Sequence, residues 1–522
     1  MKRTAISLVS AAAFWSVTVF AQTPERGGSA VFVLNQDPPL LTSVLSNGVA
    51  ERSIGCIAYE GLVLITDDYK VMPGLAKSWS VSPDGLSYSF DLEKTTWHDG
   101  KPFTSEDVKF ALLQLNAKYS SVFLAAGRAI DSIETPAPDK VVIKLKNTFG
   151  PFMLSLTCEQ GGSIQPKHIF EQGDPLKNPA NAAPVGTGPF KFAEWKHGDF
   201  VRMTRNDQFH EAGRPYLDEV IGKVIPQSAS RIHALIAGEV DLIHILPPNE
   251  VKNIEGNPKV KVVASDVSPL AVLAFFNTLK KPLDDKRVRQ ALMMATDREY
   301  LFRNPFFGVG SVGTQPFLTD ITWTRVPEID YRKMYPFDVA KANALLDAAG
   351  MKRGAEGKRF PVRIAIFSSD YPEFQEVSVA LKSMWQAVGV DVTIEAAERP
   401  TLVKRVFTDH DFDVTLQVYA SYADPALGVA RTFSSRTINM GFGNAASYSN
   451  PVVDDLLEKG ERATNFDERA VFYKQAQMIL AEDLPVITLR QYRDPDGASK
   501  RLNGLWGEFQ GNGYWAHAWL SK

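Results

Sequence analysis

The sequence predicts a multidomain protein of the α/β class that also contains α+β elements, and three observations support this expectation. The chain has 522 residues, which is more than one hydrophobic core usually accommodates. Residues 86–92 alternate apolar and polar side chains, which is typical of a strand with one buried face. Strands predicted at 362–367, 390–394 and 412–418 are separated by segments of helical periodicity, a pattern that indicates an α/β domain.

A capped helix is predicted shortly after the first of these strands. The Asp-Gly-Lys-Pro sequence at 99–102 predicts a turn, because Gly and Pro interrupt regular structure. Thr104 stands at the N-cap position with Asp107 three residues later, which is the spacing of a capping box. The helix should continue through Leu112. A strand, a turn and a capped helix occur in many folds, so this stretch alone indicates no function.

The composition is that of an ordinary globular protein, with 44% hydrophobic and 22% charged residues. The formal net charge is −3, and basic residues form no continuous block. Such a charge distribution argues against nucleic-acid binding.

The N-terminus has the pattern of a secretory signal peptide. Lys2 and Arg3 precede an apolar run at 5–20, and small residues lead to a predicted cut after Ala21. About sixteen apolar residues are too few for a typical membrane span. No cysteine follows the run, so a lipid anchor is not expected. The pattern predicts an exported, soluble protein.

The two cysteines, Cys56 and Cys158, allow two interpretations. In an oxidising compartment they could form a disulfide. They could equally be buried thiols that pack as small hydrophobes. Sequence spacing does not report the distance between Cα atoms, so both interpretations stay open.

Motifs in a fixed order carry a resemblance to a known family. They run from the hallmark segment around 75–112 to the C-terminal part of the chain: Trp97-His98-Asp99-Gly100, Gly186-Thr187-Gly188-Pro189-Phe190, Arg214-Pro215-Tyr216-Leu217-Asp218, the stretch 284–292, and Tyr448-Ser449-Asn450-Pro451. The chain resembles the bacterial extracellular solute-binding proteins of family 5, the peptide, nickel and opine class that serves ABC importers. The resemblance covers nearly all of the chain after residue 21.

The resemblance implies a two-lobed periplasmic binding protein fold of type II with an extra inserted domain. It implies the signal peptide 1–21, a first domain from 22–50, 183–268 and 490–522, an inserted second domain 51–182, and a third domain 269–489 as the second lobe. A small polar ligand would be enclosed between the lobes by hinge closure and passed to the membrane permease subunits of the importer. The resemblance implies a periplasmic monomer without a cofactor.

The resemblance also implies where ligand contacts lie. The loop that begins at Asn35 should line the cleft. The segment 418–425 should lie at the mouth of the third domain, because it follows a strand and ends in an Asp-Pro turn. Relatives that bind di- and oligopeptides carry an aspartate for the peptide ammonium at the position of Ser421. A neutral hydroxyl there predicts that free-amino peptides bind weakly, unless Asp424 supplies the charge from a shifted position.

Three further residues are candidates in the same region. Tyr419 and Tyr422 offer aromatic faces with hydroxyl tips, which suit sugars, opines and other polar organic molecules. Arg399 follows the predicted strand 390–394, where peptide-binding relatives tend to have an aromatic residue. Its forked donors would suit a carboxylate or phosphate if it faces the cleft, whereas a solvated loop arginine is the alternative.

Rival chemistries have weaker support. Residues 308–313 fit a GxGxxG pattern, but no buried strand precedes them and Pro316 follows, so a flexible loop is expected instead of a dinucleotide site.

A secreted hydrolase is the alternative from another class, yet the chain has no GxSxG, HExxH or CxxC motif. A nickel or metal-chelate protein is the alternative within the binding class, although His233 and His244 form no cluster. We therefore expect no catalytic residues, no metal ligands and no enzyme activity.

Overall fold

The structure is a computed structural model, and it describes residues 23–46, 49–66, 70–120, 122–246, 248–264, 269–354, 356–368, 371, 373–422, 424–493, 495–506 and 515–522. The predicted signal peptide, 1–21, lies outside the described residues.

The strands of the described residues fall into three larger sheets and two short ladders. In chain order they are β1 (Ser29–Leu34), β2 (Val63–Ile65), β3 (Val71–Pro73), β4 (Ala76–Val81), β5 (Ser87–Leu92), β6 (Ile130–Ala137), β7 (Lys140–Leu145), β8 (Phe190–Lys196), β9 (Phe200–Arg205), β10 (Glu219–Val224), β11 (Leu242–Ile243), β12 (Val260–Ala264), β13 (Leu270–Phe276), β14 (Ser311–Val312), β15 (Phe360–Phe367), β16 (Val390–Ala397), β17 (Val414–Ala420), β18 (Val486–Tyr492), β19 (Pro495–Ser499), β20 (Leu502–Asn503) and β21 (Trp519–Leu520).

The helices of the same residues surround these sheets. They are α1 (Val49–Ala58), α2 (Ser105–Phe110), α3 (Ala117–Tyr119), α4 (Leu124–Ala129), α5 (Phe152–Ser155), α6 (Lys167–Phe170), α7 (Ser228–Ala237), α8 (Pro248–Ile254), α9 (Lys286–Met294), α10 (Arg298–Arg303), α11 (Tyr331–Met334), α12 (Val339–Ala348), α13 (Glu373–Ala387), α14 (Arg399–Phe407), α15 (Pro451–Arg462) and α16 (Phe466–Asp483).

The first sheet has seven strands in the order β12-β19-β11-β1-β10-β9-β8. Its central strand, β1, pairs in parallel with β10 and β11, while the outer pairings are antiparallel. β1 reads SAVFVL and is largely buried, as expected for a central strand covered on both faces. The sheet gathers strands from three distant parts of the chain, 29–34, 190–264 and 495–499.

The inserted unit is built on the antiparallel sheet β4-β5-β7-β6. The alternation at 86–92 predicts β5, and its apolar residues Tyr88, Phe90 and Leu92 are buried as predicted. The predicted capping is also present, since the Asp107 carboxylate accepts the Thr104 backbone N–H at 2.9 Å. α2 is shorter than expected, because a π-helical stretch replaces the α-helix from residue 111 to residue 116.

The third sheet has six strands in the order β14-β18-β13-β17-β15-β16, and it forms the second lobe. β15 lies parallel to β16 and β17, with α13 and α14 in the connections, as in an α/β domain. The structure places the strands predicted at 390–394 and 412–418 at 390–397 and 414–420. The strand ends differ from the predicted ends by at most three residues, because a strand ends where its pairing with a neighbouring strand ends.

Two predicted domain limits fall inside regular elements. Ile54 and Ile57 of α1 pack into the core of the first sheet, although the predicted limit at residue 51 assigns them to the inserted domain. The limit at 489/490 falls within β18, which is paired with β13 in the third sheet. The chain returns to the first sheet only at β19, after residue 492.

Cys56 and Cys158 form a disulfide, with their Cα atoms 5.8 Å apart. The bond joins α1, which packs on the first sheet, to a helical turn of the inserted unit at 158–162. Of the two interpretations left open by the sequence, the structure has the disulfide.

The glycine-rich segment at 308–313 is not the flexible loop that its sequence predicts. Ser311 and Val312 form β14, which pairs with β18 at the edge of the third sheet. A Cβ atom on Gly310 or on Gly313 would overlap a carbonyl oxygen of that neighbouring strand. The glycines therefore permit close approach of two strands.

Candidate functional site

The chain passes twice between the first and the third sheet, and both crossings lie at the same end of the third sheet. β13 enters the third sheet at Leu270, and β18 leaves it at Tyr492, which is paired with Leu270. Ala420, the last residue of β17, is paired with the same Leu270. The carboxyl ends of β15, β16 and β17 therefore lie at the edge that faces the first sheet. Ligands of open α/β sheets bind at such carboxyl edges.

Asn35 lies at the matching edge of the first sheet. It is the first residue after β1, and it is exposed. The pairings of β1 with β11 and of β11 with β19 place the end of β1 on the same side as Pro495, where the chain re-enters this sheet. Asn35 is therefore on the edge that faces the third sheet. Among the described residues no hydrogen bond joins it to segment 418–425.

Tyr419 and Ser421 are buried in this arrangement. Tyr419 is 2% exposed, and its hydroxyl donates to the Gly443 carbonyl oxygen at 2.5 Å. Ser421 is fully buried, and its backbone N–H donates to the Pro269 carbonyl oxygen at 2.9 Å. Burial raises the pKa of Tyr419, which keeps the phenol neutral. Both residues hold the end of β17 against neighbouring chain segments.

Tyr422 is the most accessible tyrosine of this segment. Its side chain is half-buried, and its backbone has a φ of 49°, in the left-handed region that a bulky residue rarely adopts. Non-glycine residues with such a backbone are often found at ligand sites. β17 ends at Ala420, two residues before this position.

Asp424 is engaged within the second lobe. Its two carboxylate oxygens accept hydrogen bonds from the Arg469 guanidinium at 2.6 Å each, and both side chains are at most 1% exposed. Burial acts to lower the pKa of Arg469, but the charge of Asp424 outweighs it and the net pKa is raised. A ligand ammonium could use Asp424 only by replacing this bidentate pair.

Arg399 begins α14 and is exposed. Its guanidinium carbon lies 5.1 Å from the ring centre of Phe367 and 5.7 Å from that of Phe442. Phe367 is the last residue of β15, so Arg399 lies at the carboxyl edge with the tyrosines. The structure thus places Arg399, Tyr419, Ser421 and Tyr422 near this edge, whereas the Asp424 carboxylate is paired with Arg469 inside the lobe.

Arg431 is a residue at this edge that sequence reasoning missed. It lies in the 3₁₀ turn Val429–Thr432, and its guanidinium carbon is 4.9 Å from the ring centre of Tyr419 and 5.7 Å from that of Tyr422. Its sequence surroundings, Gly428-Val429-Ala430-Arg431-Thr432, match no motif. Only the return of the chain over the end of β17 places it beside the tyrosines.

Comparisons with known proteins identify the family of the chain. The model of the bacterial extracellular solute-binding proteins, family 5, matches residues 70–440. The chain belongs to this family. It is 28% identical to the oligopeptide-binding protein AppA of Bacillus subtilis over 479 residues, which cover 89% of this chain and 86% of AppA.

Solved structures of other binding proteins have the same fold. The periplasmic binding protein DppA of Helicobacter pylori, in complex with the peptide STSA, is 26% identical and superposes with a TM-score of 0.78, over 95% of this chain and 99% of DppA. AgaA of A. tumefaciens R10, in complex with agropinic acid, is 26% identical with a TM-score of 0.77, over 95% and 99%. The protein therefore has the two-lobed type II binding fold and is a solute-binding protein of the family 5 class.

The inserted unit of this family 5 protein contacts the second lobe directly. The Gly150 backbone N–H donates to the Glu461 carbonyl oxygen at 2.8 Å. Leu427, which follows the Asp424 turn, packs against the core of the inserted unit. Movement of the second lobe relative to the inserted unit would change these contacts.

His98 of the Trp97-His98-Asp99-Gly100 motif has a structural role. Its Nδ1 accepts the Gly186 N–H at 3.2 Å, and its Nε2–H donates to the Gly188 carbonyl oxygen at 3.0 Å. Burial lowers the pKa of His98 to about 4 and outweighs the opposing hydrogen bond to Gly188. The neutral ring therefore joins two family motifs that are about ninety positions apart in sequence.

The metal alternative finds no donor cluster. In the part of the chain that the structure describes, no three His, Cys, Asp or Glu side chains are close enough to hold a metal ion. His244 is buried with its Nδ1 3.2 Å from an Asp496 carboxylate oxygen.

No helix of the described residues is both long and apolar enough to cross a membrane.

Proposed function

We propose that this protein is the periplasmic binding component of an ABC importer, and that it captures a small polar organic ligand of the peptide-like, opine or sugar-derivative type. The precursor is cut after Ala21, and the mature protein acts as a monomer. It delivers the ligand to the membrane permease subunits without changing it chemically.

The observation that carries the ligand class is the character of the edge at Tyr419–Tyr422. The half-buried Tyr422 follows the buried Ser421, which stands where a peptide-binding relative would present a carboxylate, and Asp424 is already paired with Arg469. A buried ammonium without a counter-charge is costly, by more than a neutral hydrogen bond recovers. Aromatic faces with polar edges suit ligands that combine rings or carbon chains with hydroxyl, carbonyl or carboxylate groups.

Capture by closure is supported by the way the lobes are joined. The chain passes between the first and third sheets at β12–β13 and again at β18–β19, so two chain segments join the two sheets. Ligand can stabilise the closed state only through contacts that the open state lacks. Asn35 on one edge and Tyr422 on the other are suited to provide such contacts.

The test combines X-ray scattering with calorimetry on the purified mature protein. The panel contains opines, sugar acids, sugars, blocked peptides, free-amino di- and tripeptides, and nickel with and without histidine. At least one polar organic compound should bind and reduce the radius of gyration, while free-amino peptides bind weakly. If no compound binds or compacts the protein, the proposal is wrong.

A turnover assay on the same samples separates the binding protein from the hydrolase alternative. The bound compound should be recovered intact by mass spectrometry after prolonged incubation. Sustained release of product would contradict the binding-only function. Tight binding of nickel alone would instead favour the metal-binding alternative.

A further inference from the structure

Arg431 differs from Arg469, which is paired with Asp424, because no carboxylate of the described residues balances its charge. Among the described residues no carboxylate lies within ion-pair distance of its guanidinium. Its Nε atom is buried and has no hydrogen-bond partner. A guanidinium has five N–H donors, and an unmet buried donor is costly in a protein interior.

The two tyrosines hold this guanidinium in place without satisfying its donors. Tyr419 cannot reorient, because its hydroxyl donates to Gly443 and its ring is buried. Cation–π contacts attract the charge to the ring face, but they leave the N–H groups at the rim of the guanidinium available to an acceptor. The ring contacts thus fix the position of the Arg431 guanidinium and leave its N–H donors available for hydrogen bonds.

The nearest acidic side chain of the same chain segment is occupied. Asp424 lies seven positions before Arg431, yet both of its oxygens bind Arg469. Arg399 lies nearby, since its guanidinium contacts Phe442, next to the Gly443 carbonyl that Tyr419 binds. The proposal for an anion therefore rests on Arg431 and on the occupied state of Asp424.

We propose that Arg431 binds a carboxylate of the transported ligand, so that the ligand class is polar organic acids. The forked guanidinium fits a carboxylate with two parallel hydrogen bonds, and a charge-assisted pair is stronger than a neutral one. The half-buried ring of Tyr422 can then contact the carbon skeleton beside the carboxylate, while the buried ring of Tyr419 holds the guanidinium. This inference rests on the proposed function and specifies the charge of the ligand and the residue that selects it.

The test uses matched acid and neutral compounds. The pairs are N-acetyl-Ala-Tyr and its C-terminal amide, N-(1-carboxyethyl)-alanine and its dimethyl ester, and gluconate and glucose. Calorimetry on the wild type should show that the bound compounds are acids and that each neutral partner binds at least about 10-fold more weakly.

Substitutions of Arg431 test whether this residue causes the preference for acids. Arg431→Gln should weaken binding of the acid by about 10- to 100-fold and leave the neutral partner unchanged, because only the charge-assisted bonds are lost. Arg431→Lys keeps the charge and the stem but not the fork, so it should lose less. Arg332→Gln is the matched control, since Arg332 is 59% exposed in its side chain and already paired with Asp330.

The outcomes separate the inference from the proposed function. If neutral compounds bind as well as acids, or if acid binding survives Arg431→Gln, the inference is wrong while the proposed function stands. If no panel member binds the wild type, both are contradicted. Should Arg431→Gln fail to fold, an unchanged acid-to-neutral ratio in Arg431→Lys would overturn the inference.

Discussion

Two arginines of the second lobe, Arg469 and Arg431, both lie against aromatic rings but differ in their polar surroundings. Arg469 is 5.1 Å from the ring centre of Trp323 and has its charge balanced by Asp424 in a fully buried pair. Arg431 is 4.9 Å from that of Tyr419, and no described carboxylate pairs with it. Since a buried charge requires compensation, the first arginine supports the framework and the second is suited to a partner from outside the chain.

The largest effect on stability is expected from breaking the Asp424–Arg469 pair. Asp424→Asn leaves the Arg469 charge buried without a counter-ion, which should destabilise the second lobe by about 3–5 kcal/mol. Urea unfolding followed by fluorescence measures the loss. Replacing both residues together, as Asp424→Leu with Arg469→Met, should cost clearly less than the single change, because no charge is left buried. Equal losses would show that the pair is not coupled.

The disulfide is the second framework contact to test. The double variant Cys56→Ser, Cys158→Ser opens a loop with a sequence separation of 102 residues, and it should lower the free energy of unfolding by about 2–4 kcal/mol. Urea unfolding with and without reductant checks this. Reductant should affect the wild type and leave the variant unchanged. Ligand affinity should change little, since neither cysteine lies at the carboxyl edge of the third sheet.

Lowering the pH should reduce the stability of the fold through His98 and should not weaken a ligand contact made by Arg431. His98 has a folded pKa of about 4, below its value of about 6.5 in the unfolded chain. The unfolded state therefore takes up the proton first, and stability is lost as the pH falls from about 6.5 towards 4. At pH 5 the loss should be about 2 kcal/mol. Arg431 stays charged throughout this range.

The measurement is thermal unfolding between pH 7.5 and 5, compared with His98→Gln. The variant should lack the part of the pH dependence that His98 contributes. Affinity for an organic acid should stay nearly constant over the same range, because carboxylates titrate lower. An equal pH dependence in wild type and variant would show that His98 does not titrate in this way.

The smallest effect on stability is expected at Arg431. Arg431→Gln removes two cation–π contacts but also removes an unmet buried donor, so the free energy of unfolding should change by less than about 1 kcal/mol. Urea unfolding of the ligand-free protein checks this. A loss as large as that of Asp424→Asn would place Arg431 in the framework and remove the contrast between the two arginines.

Local sequence patterns predicted many of the elements well. The alternation at 86–92 predicts β5, the capping box of Thr104 and Asp107 predicts the start of α2, and the strand predicted at 390–394 is found as β16. Each signal is local, since it depends on neighbouring side chains and the period of a strand or helix. The ordered motifs also predicted the family, to which the comparisons show that the chain belongs.

Other features depend on residues far apart in sequence. Segment 308–313 reads as a loop, yet it pairs with β18, nearly 180 positions later. The predicted limit at residue 51 separates Ile54 and Ile57 from the first sheet, although their side chains pack there. No local pattern reports such partners, because the sequence gives neither the register of a distant strand nor the face that a helix buries.

The candidate site divides in the same way. The sequence by itself determined the chemistry available at the carboxyl edge: two tyrosines, a neutral serine and an aspartate in one segment, with Arg399 elsewhere. Only the tertiary structure decided how these groups are used. It pairs Asp424 with Arg469 from α16, and it places Arg431 on the rings of Tyr419 and Tyr422. Charge balance in a buried site depends on which groups meet in space, and that is set by packing between distant segments.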